Sequence, residues 1–282
     1  MIIKNAYPQG FNIFGLHIQF YAIFILCGAL LAFFLASYKA HKDGYSWDFF
    51  ETIFFTAFPS GIIGARIWYV IAEWNKEFAG GDFLDVFKIW KGGLAIQGGV
   101  IAGILVGCFV IVRYRRGAPL LRVLDYAVPT IFIAQAIGRW GNFMNQEVYG
   151  QFVPIASWNF LPDFIIKQMQ VSGTTSTTMA VPLYLVEGLL NIGNYYILAH
   201  AIPDILGKHY KDGDSTFAYF ILYGITRLFM EPLRNPIYQM GNSNNASWRM
   251  AVAFIVVGVV AIIANHLVRY FYPKYKNKEN AK

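Results

Sequence analysis

Seven apolar stretches, separated by short polar connections, dominate the pattern of this chain. A transmembrane helix needs about 20 predominantly apolar residues, and the stretches that reach or approach this length are 17–38, 49–73, 92–112, 123–143, 182–202, 215–232 and 249–269. They predict an all-α polytopic membrane protein with about seven transmembrane helices, in a single integral membrane domain over residues 1–282. The longest connection, residues 144–181, mixes aromatic and polar residues and predicts a small cap, because long connections tend to be functional.

Composition and charge agree with a bilayer and predict an orientation. The chain is 56% hydrophobic and 14% charged, whereas soluble domains carry about 25% charged residues. Most lysines and arginines outside the spans fall in the flanks 39–48, 113–122 and 203–214 and in the C-terminal tail. Since cytoplasmic loops are the basic ones, the N-terminus and the cap are expected outside and the C-terminus inside. The net charge of +7 is then largely a collar facing anionic membrane lipids, and no nucleic-acid partner is expected.

Three arginines lie inside or at the end of apolar spans, where charge is rare. Arg66, Arg139 and Arg227 each come late in a span that runs outward. A guanidinium cannot lose its proton to escape hydrocarbon, and an intramembrane charge is a functional-site hypothesis by default. In a membrane, the commonest anion that such cations meet is a lipid phosphate.

Further polar residues fall at the same predicted depth. The spans that run inward carry theirs early, and the layer continues into the outer interface: His17, Gln19, Tyr21, Gln97, Tyr184, Glu187, Asn142, Asn145, Glu147, Glu231 and Arg234. Arg227 and Glu231 are four residues apart, the spacing of an ion pair on one helix face. Asn142 lies one turn beyond Arg139 and is expected on the same face. The layer predicts an outer-half pocket for a phospholipid phosphate, with departure of a phosphate ester.

Other interpretations of these arginines remain open. Arg66 and Arg234 are as well explained by long side chains that reach the interface from helix ends, and the whole set also fits a structural ion-pair network. An organic-anion transporter or channel would use buried arginines too, although it predicts polar residues through the whole membrane depth and often an internal repeat. A lipid phosphatase would need a nucleophile or a metal site, and the five histidines are scattered along the chain.

Glycines form two patterns in the third span. Gly99, Gly103 and Gly107 recur at every fourth residue, a ridge that lets another helix approach closely. Gly98 and Gly99, with the pair at 92–93, flank Gln97, and such glycines allow a bent backbone or the close approach of a ligand.

One run of thirteen residues resembles a family signature. Residues 138–150 read Gly-Arg-Trp-Gly-Asn-Phe-Met-Asn-Gln-Glu-Val-Tyr-Gly. They resemble the signature of bacterial prolipoprotein diacylglyceryl transferases: Gly-Arg, a variable and a small residue, Asn-Phe, an apolar residue, Asn, any residue, Glu, two variable residues and Gly. Other segments agree, namely His17 to Tyr21, Gly64 to Arg66, Trp90 to Gly99, Asp125, and Tyr223 to Arg234. The resemblance covers essentially the whole chain.

The resemblance implies seven helices in the bacterial cell membrane and a lipid transfer reaction. The sn-1,2-diacylglyceryl group of phosphatidylglycerol, taken from the outer leaflet, would move to the lipobox cysteine thiol in the signal peptide of a prolipoprotein. The products would be a thioether and glycerol 1-phosphate, and no metal or other cofactor is implied.

The same resemblance assigns roles to individual residues. Arg139 matches the phosphatidylglycerol-binding arginine and Arg227 the second essential arginine, while Tyr21, Asn142, Glu147 and Gly150 match other functional positions. With the polar layer, this gives Arg139, Arg227, Gln97, Tyr21, Glu147 and Glu231 as candidate catalytic residues. The candidate substrate-binding residues are Arg139, Asn142, Asn145, Gly98, Gly99, Gly150, Arg66 and Arg234.

Gln97 is the main departure from the family pattern. Many family members have histidine there, which has been a candidate general base. Glutamine does not ionise at neutral pH and cannot take the thiol proton, so Gln97 is expected to position the head group instead. Glu147 or Glu231 is then the candidate proton acceptor.

Overall fold

The computed structural model describes residues 7–13, 16–89, 92–114, 118–238 and 246–279, and most of these are helical. Trp90, which is part of the family resemblance, and residues 115–117 of the basic flank 113–122 lie outside the described residues. The described helices are α1 (Phe20–Lys42), α2 (Phe49–Ala72), α3 (Ile96–Tyr114), α4 (Leu120–Ala127), α5 (Ile131–Asn145), α6 (Asp163–Gln168), α7 (Leu183–Tyr196), α8 (Ile202–Leu206), α9 (Asp214–Met230) and α10 (Ala246–Glu279). The described strands are β1 (Gly10–Ile13), β2 (Leu16–Gln19), β3 (Phe152–Pro154) and β4 (Thr178–Ala180).

Helices long and apolar enough to cross a membrane account for five of the predicted spans, and they confirm an all-α polytopic membrane protein. They are Phe20–Lys42, Phe49–Ala72, Ile96–Tyr114, Leu120–Asn145 and Ala246–Phe271. The predicted spans 182–202 and 215–232 are helical too. The first is α7, which continues through a π-helical turn, Ile197–Ala201, into α8, and the second is the 17-residue α9. The count of seven stays a prediction.

The helices of the third and first predicted spans begin later in the chain than the sequence predicts. The third span was expected from residue 92, but α3 begins at Ile96 because Gly92 and Gly93 have φ angles of +88° and +73°, which a right-handed helix does not allow. The first span was expected from residue 17, but residues 16–19 are strand β2 and α1 begins at Phe20.

Contacts group the chain into two compact units. The first unit comprises Met1–Asn12, Ile18–Ala32 and Leu124–Lys282, and the second unit comprises Ile13–His17 and Phe33–Val123. That the chain forms one integral membrane domain stays a prediction.

In the second unit, α2 and α3 pack through glycines on both helices. A Cβ atom on Gly64 would lie 2.6 Å from the carbonyl oxygen of Gly98, and one on Gly99 would lie 3.2 Å from that of Gly61. Gly103 also faces α2, with 3.7 Å between its would-be Cβ and the carbonyl oxygen of Ala57. The prediction that the third-span ridge admits another helix closely is confirmed, and the partner helix is α2.

In the first unit, the predicted cap segment folds onto the ends of α5 and α7. Strands β3 and β4 pair antiparallel, with Val153 opposite Met179. The short helix α6 contributes Ile165 to an apolar cluster that also contains Phe143 of α5, Met179 of β4 and Tyr184 of α7. Residues 144–181 therefore hold a small folded element, whose position outside the membrane stays a prediction.

A buried carboxylate fixes the start of α9. Asp125 of α4 accepts hydrogen bonds from the backbone N–H groups of Gly213 (2.6 Å) and Thr216 (2.8 Å), and from the hydroxyl groups of Thr216 (2.6 Å) and Tyr210 (2.8 Å). Gly213 is the N-cap residue of α9, and Thr216 lies in its first turn, whose N–H groups have no partner within the helix. Asp125 is 4% exposed. It therefore serves as an N-cap supplied by a different helix.

We predict that Asp125→Ala destabilises the protein by about 3 kcal/mol, because charge-assisted hydrogen bonds are lost and buried donors are left unsatisfied. Asp125→Asn, which keeps one acceptor oxygen, should cost less. Thermal unfolding in detergent, followed by tryptophan fluorescence, measures both. Asp204→Ala, at an exposed position of α8, is the matched control, and an equal effect of Asp204→Ala and Asp125→Ala would contradict the capping role.

Candidate active site

Arg139 lies in the last two turns of α5, half-buried, and has two side-chain partners. Its Nη1 donates to Oδ1 of Asn142 at 3.2 Å, which confirms that the two residues share a helix face. Its Nη2 donates to Oε1 of Glu187 on α7. A guanidinium carries five N–H groups, and these two bonds are the ones found for Arg139 among the described residues. The remaining donors are available to a ligand.

Glu187 joins two arginines from different elements. Its Oε2 lies 3.7 Å from Nη2 of Arg234, while its Oε1 accepts the bond from Arg139. The side chain of Glu187 is 10% exposed and belongs to the second turn of α7. It therefore joins α5 and the segment after α9 through one carboxylate.

Arg227 and Glu231 continue the network at the end of α9. Their predicted ion pair is confirmed, with 3.3 Å between Nη2 of Arg227 and Oε2 of Glu231. The same Oε2 lies 3.8 Å from Nε of Arg234, and Nε of Arg227 donates to the hydroxyl of Ser247 at 3.1 Å. An alternating chain of charges therefore runs Arg139, Glu187, Arg234, Glu231, Arg227. We call these five residues the arginine cluster.

Within the arginine cluster, positive charge exceeds negative charge. Three guanidinium groups share two carboxylates, and both ion pairs of Arg234 are longer than a hydrogen bond. Burial, and after it the neighbouring Arg227, lowers the pKa of the Arg234 guanidinium from its ordinary value, while Glu187 opposes that shift. A largely buried cluster whose five members include one more cation than anion attracts an anion.

Glu147 lies beside this cluster and contacts amides rather than arginines. Its Oε1 accepts from Nδ2 of Asn142 at 2.9 Å and from Nδ2 of Asn145 at 3.4 Å. The connection between Glu147 and Arg139 therefore runs through the side chain of Asn142.

An unusual turn brings Glu147 back toward α5. Gln146 and Val148 on either side of it have φ angles of +53° and +55°, and a β-branched residue in that region is an outlier that costs of the order of 1–3 kcal/mol. Strained backbone of this kind clusters at functional sites. The strained backbone therefore supports the assignment of the Gln146–Val148 turn to the site.

Gln168 supports this turn from the cap. It is fully buried, and its Nε2 donates to the carbonyl oxygens of Phe143 and Met144, both at 3.1 Å. Gln146 in turn donates from Nε2 to the carbonyl oxygen of Gln168 at 2.6 Å. The two bonds from Gln168 Nε2 satisfy carbonyl groups at the end of α5 that have no partner within the helix, and so they help to fix where α5 stops.

Gly150 and Tyr21 bring two further segments to the site. Gly150 forms an isolated antiparallel bridge with Arg234, and a Cβ atom on it would lie 2.8 Å from Cβ of Val181 and 3.0 Å from the carbonyl oxygen of Leu233. The ring of Tyr21 packs on Gly141 of α5, where a Cβ atom would lie 3.0 Å from Cε2 of the ring. Both glycines are explained by close approach.

Four predicted site residues, Arg66, Gln97, Gly98 and Gly99, belong to the second unit. Gly98 and Gly99 lie in the α2–α3 contact, which accounts for both as glycines. Arg66 donates its hydrogen bonds to backbone carbonyl groups. Gln97 is exposed in the first turn of α3. Their roles toward a substrate stay predictions.

The sequence places Glu187 in the polar layer but predicts no role for it in the site, and it predicts no role for Ser247 or Gln168. Glu187 carried a signal, since it is a carboxylate within an apolar span. Ser247 and Gln168 carried none, because neither residue type is unusual at a helix start or in a polar connection. Among the described residues, no three His, Cys, Asp or Glu side chains are grouped so that they could hold a metal ion.

Comparison with known proteins identifies the family. A family model described as prolipoprotein diacylglyceryl transferase matches residues 8–264. Proteins named phosphatidylglycerol--prolipoprotein diacylglyceryl transferase are similar over most of their length. The one from Streptococcus mutans serotype c is 36% identical over 94% of this chain and 98% of its own. Those from Streptococcus equi subsp. equi and Streptococcus pyogenes serotype M5 are 37% identical (92% of this chain, 95% of theirs) and 38% identical (88% and 91%).

The chain belongs to the prolipoprotein diacylglyceryl transferase family. This membership favours the transferase over the transporter and phosphatase alternatives that the arginines alone leave open.

We predict that Glu187→Ala destabilises the protein by about 3 kcal/mol, because it leaves two largely buried guanidinium groups without their shared carboxylate. Glu147→Ala, which removes only amide contacts, should cost less. Thermal unfolding of both variants in detergent compares them. An equal loss in the two variants would contradict the bridging role of Glu187.

Proposed function

We propose that this member of the family transfers the diacylglyceryl group of phosphatidylglycerol to the lipobox cysteine thiol of a prolipoprotein. The names of the relatives support both substrates, and the arginine cluster is the observation that carries the proposal. In this reaction the cysteine sulfur forms a bond to the glyceryl carbon, and the bond from that carbon to the phosphate oxygen breaks. Glycerol 1-phosphate departs with the bonding electrons.

The arginine cluster suits the phosphate before and after this step. Arg139 offers forked donors that match phosphate oxygens, and such charge-assisted bonds are strongest out of water. Asn142 holds Arg139 from its own helix, and Glu187 holds it from α7. When the carbon–oxygen bond breaks, the departing phosphate gains charge. Guanidinium groups that are already in position stabilise that charge without reorganising.

Arg227 and Arg234 complete the phosphate pocket in this proposal. Arg227 is oriented by Glu231 and Ser247, and the segment that carries Arg234 is held by its bridge to Gly150. Asn145, which contacts Glu147, and Tyr21, which packs on Gly141 of α5, are assigned to the head group.

The thiol proton is assigned to Glu147. Glu231 lies against two guanidinium groups, whereas the contacts of Glu147 are two side-chain amides. Glu147 is therefore the carboxylate of the two that is not occupied in ion pairing. The enzyme needs no nucleophile of its own, because the substrate supplies the thiol.

The proposed membrane geometry has the N-terminus outside and the C-terminus cytoplasmic in a bacterial cell membrane. The distribution of basic residues in the loops supports this orientation. The arginine cluster then lies in the outer half of the bilayer, with the cap outside, and phosphatidylglycerol enters from the outer leaflet between helices. The lipobox segment of the signal peptide approaches along the same leaflet.

We predict that Arg139→Ala lowers turnover by at least about 100-fold, because removing one donor from a preorganised charge-stabilising site costs that much. Arg139→Lys should recover only part of the activity, since an ammonium lacks the fork. The assay uses a lipobox peptide and phosphatidylglycerol in micelles, with the mass of the peptide and the release of glycerol phosphate as readouts. Arg249→Ala, exposed on α10, is the control. Near-normal turnover by folded Arg139→Ala protein would overturn the phosphate assignment.

We predict that Gln97→Ala slows transfer by about tenfold without abolishing it, which is the order of one lost hydrogen bond. The exposed neighbour Ile96 supplies the control variant Ile96→Ala. Complete loss in Gln97→Ala combined with full activity in Gln97→His would show that the side chain at this position does more than hold the head group.

A further inference from the structure

Arg66 donates hydrogen bonds to four backbone carbonyl groups. It is 8% exposed in α2. Its Nε donates to Val86 (2.8 Å), its Nη2 to Asp85 (2.7 Å), and its Nη1 to Gly92 (2.8 Å) and Gly93 (2.9 Å). Four of the five N–H groups of the guanidinium are therefore used, including both on Nη1. No edge of the guanidinium keeps two free donors for the bidentate grip that makes arginine a phosphate ligand.

The carbonyl groups that Arg66 collects come from two stretches of irregular backbone. One is the 3₁₀ turn Phe83–Phe87, and the other is the pair Gly92 and Gly93, both with left-handed φ angles. The ring centroids of Tyr69 and Phe78 lie 5.7 and 5.5 Å from the guanidinium carbon, which adds cation–π attraction. The guanidinium thus replaces the regular hydrogen bonds that these two stretches lack.

Two features of the structure require glycine at position 93. Its φ angle of +73° favours glycine. A Cβ atom at this position would also lie 2.7 Å from Nη1 of Arg66 and 2.9 Å from Cδ1 of Tyr69, so no larger residue fits without displacing the guanidinium. Arg66 and the turn at Gly92 and Gly93 therefore depend on each other.

This arrangement leads directly to Gln97. The N–H of Ala95 donates to the carbonyl oxygen of Ala65 at 3.0 Å, and Gly98 packs against the backbone of Gly64. The chain from Gly92 to Gly98 is thus held at four points, Gly92, Gly93, Ala95 and Gly98, on the turn of α2 that carries Arg66. The side chain of Gln97 is exposed, and no hydrogen-bond partner is found for it among the described residues. Its direction is consequently set by the backbone beneath it.

We propose that Arg66 is a positioning residue for Gln97, which it orients by holding the turn at Gly92 and Gly93, and that it is not a ligand of the lipid phosphate. This inference rests on the proposed function for the role of Gln97 toward the head group. It replaces the substrate-binding assignment that the sequence suggested for Arg66. The inference also explains how a buried cation is tolerated outside the arginine cluster, because the dipoles of backbone carbonyl groups stabilise the charge of Arg66 in place of an anion.

The first test measures the position of residue 97 without any activity. The background is Cys27→Ser with Cys108→Ser, since both native thiols are free. Gln97→Cys is labelled with a thiol reagent in detergent, with Arg66 intact and with Arg66→Ala. We expect the labelling rate to change by about threefold or more, because the supporting backbone contacts are lost. Glu51→Cys, an exposed position on the same helix as Arg66, should label equally in both. An unchanged rate at residue 97 would overturn the inference.

The second test is a double-mutant cycle on turnover with Arg66→Ala and Gln97→Ala. Coupled residues give a double variant that is no slower than the slower single variant, whereas independent residues give multiplied losses. We expect the coupled result, with the KM for phosphatidylglycerol changed by less than about twofold in Arg66→Ala. Multiplied losses, or a KM raised by about tenfold at unchanged kcat, would overturn the inference and restore Arg66 as a lipid ligand.

Two further variants protect these tests against misfolding of Arg66→Ala. Arg66→Lys keeps the charge, but an ammonium cannot span two stretches of backbone. Gly93→Ala keeps the arginine itself but displaces the guanidinium and disturbs the same turn. Both should reproduce the labelling change and the selective loss of kcat. Failure of the wild-type protein to form a thioether would overturn the proposed function instead, and the labelling test would still judge the role of Arg66 in setting residue 97.

Discussion

Guanidinium groups that cannot be neutralised by losing a proton govern this structure. Each must find compensation for the water it has lost. The chain provides it in two ways. In the arginine cluster, Glu187 and Glu231 alternate with three arginines and leave positive charge in excess. At Arg66, backbone carbonyl groups provide all of the hydrogen bonds that are found. The arginine cluster can therefore still bind an anion, whereas Arg66 already has hydrogen-bond acceptors for most of its N–H groups.

The surrounding fold serves the first arrangement by fixing the ends of helices. Helix α5 ends where Gln168 takes up its last carbonyl groups and where Gln146 turns into the left-handed region. That turn returns Glu147 to Asn142, one turn beyond Arg139. The bridge between Gly150 and Arg234 ties the segment after α9 to the same place. At the other end of α9, Asp125 caps the first turn. The strained φ angle of Val148 is an energetic cost that the cap and these bonds offset.

Much of this architecture could be predicted from the local spacing of residues along the sequence. The apolar stretches located the membrane helices, the spacing of four residues gave the pair Arg227 and Glu231, and the spacing of three gave Arg139 and Asn142. Partners far apart in the chain could not be derived in that way. The contacts of Arg139 with Glu187 and of Gln168 with the end of α5 depend on how helices and cap pack, which no period encodes. Arg66 shows a second limit of the sequence. An arginine in an apolar span looks the same in the sequence whether it binds an anion or donates to backbone carbonyl groups.

The central claim is that the arginine cluster binds the phosphate of phosphatidylglycerol through Arg139. Native mass spectrometry of the protein released from phosphatidylglycerol-containing nanodiscs tests it without requiring turnover. The account predicts that wild-type protein and Arg249→Ala retain phosphatidylglycerol, and that folded Arg139→Ala loses it. Equal retention of phosphatidylglycerol by all three proteins would contradict the claim.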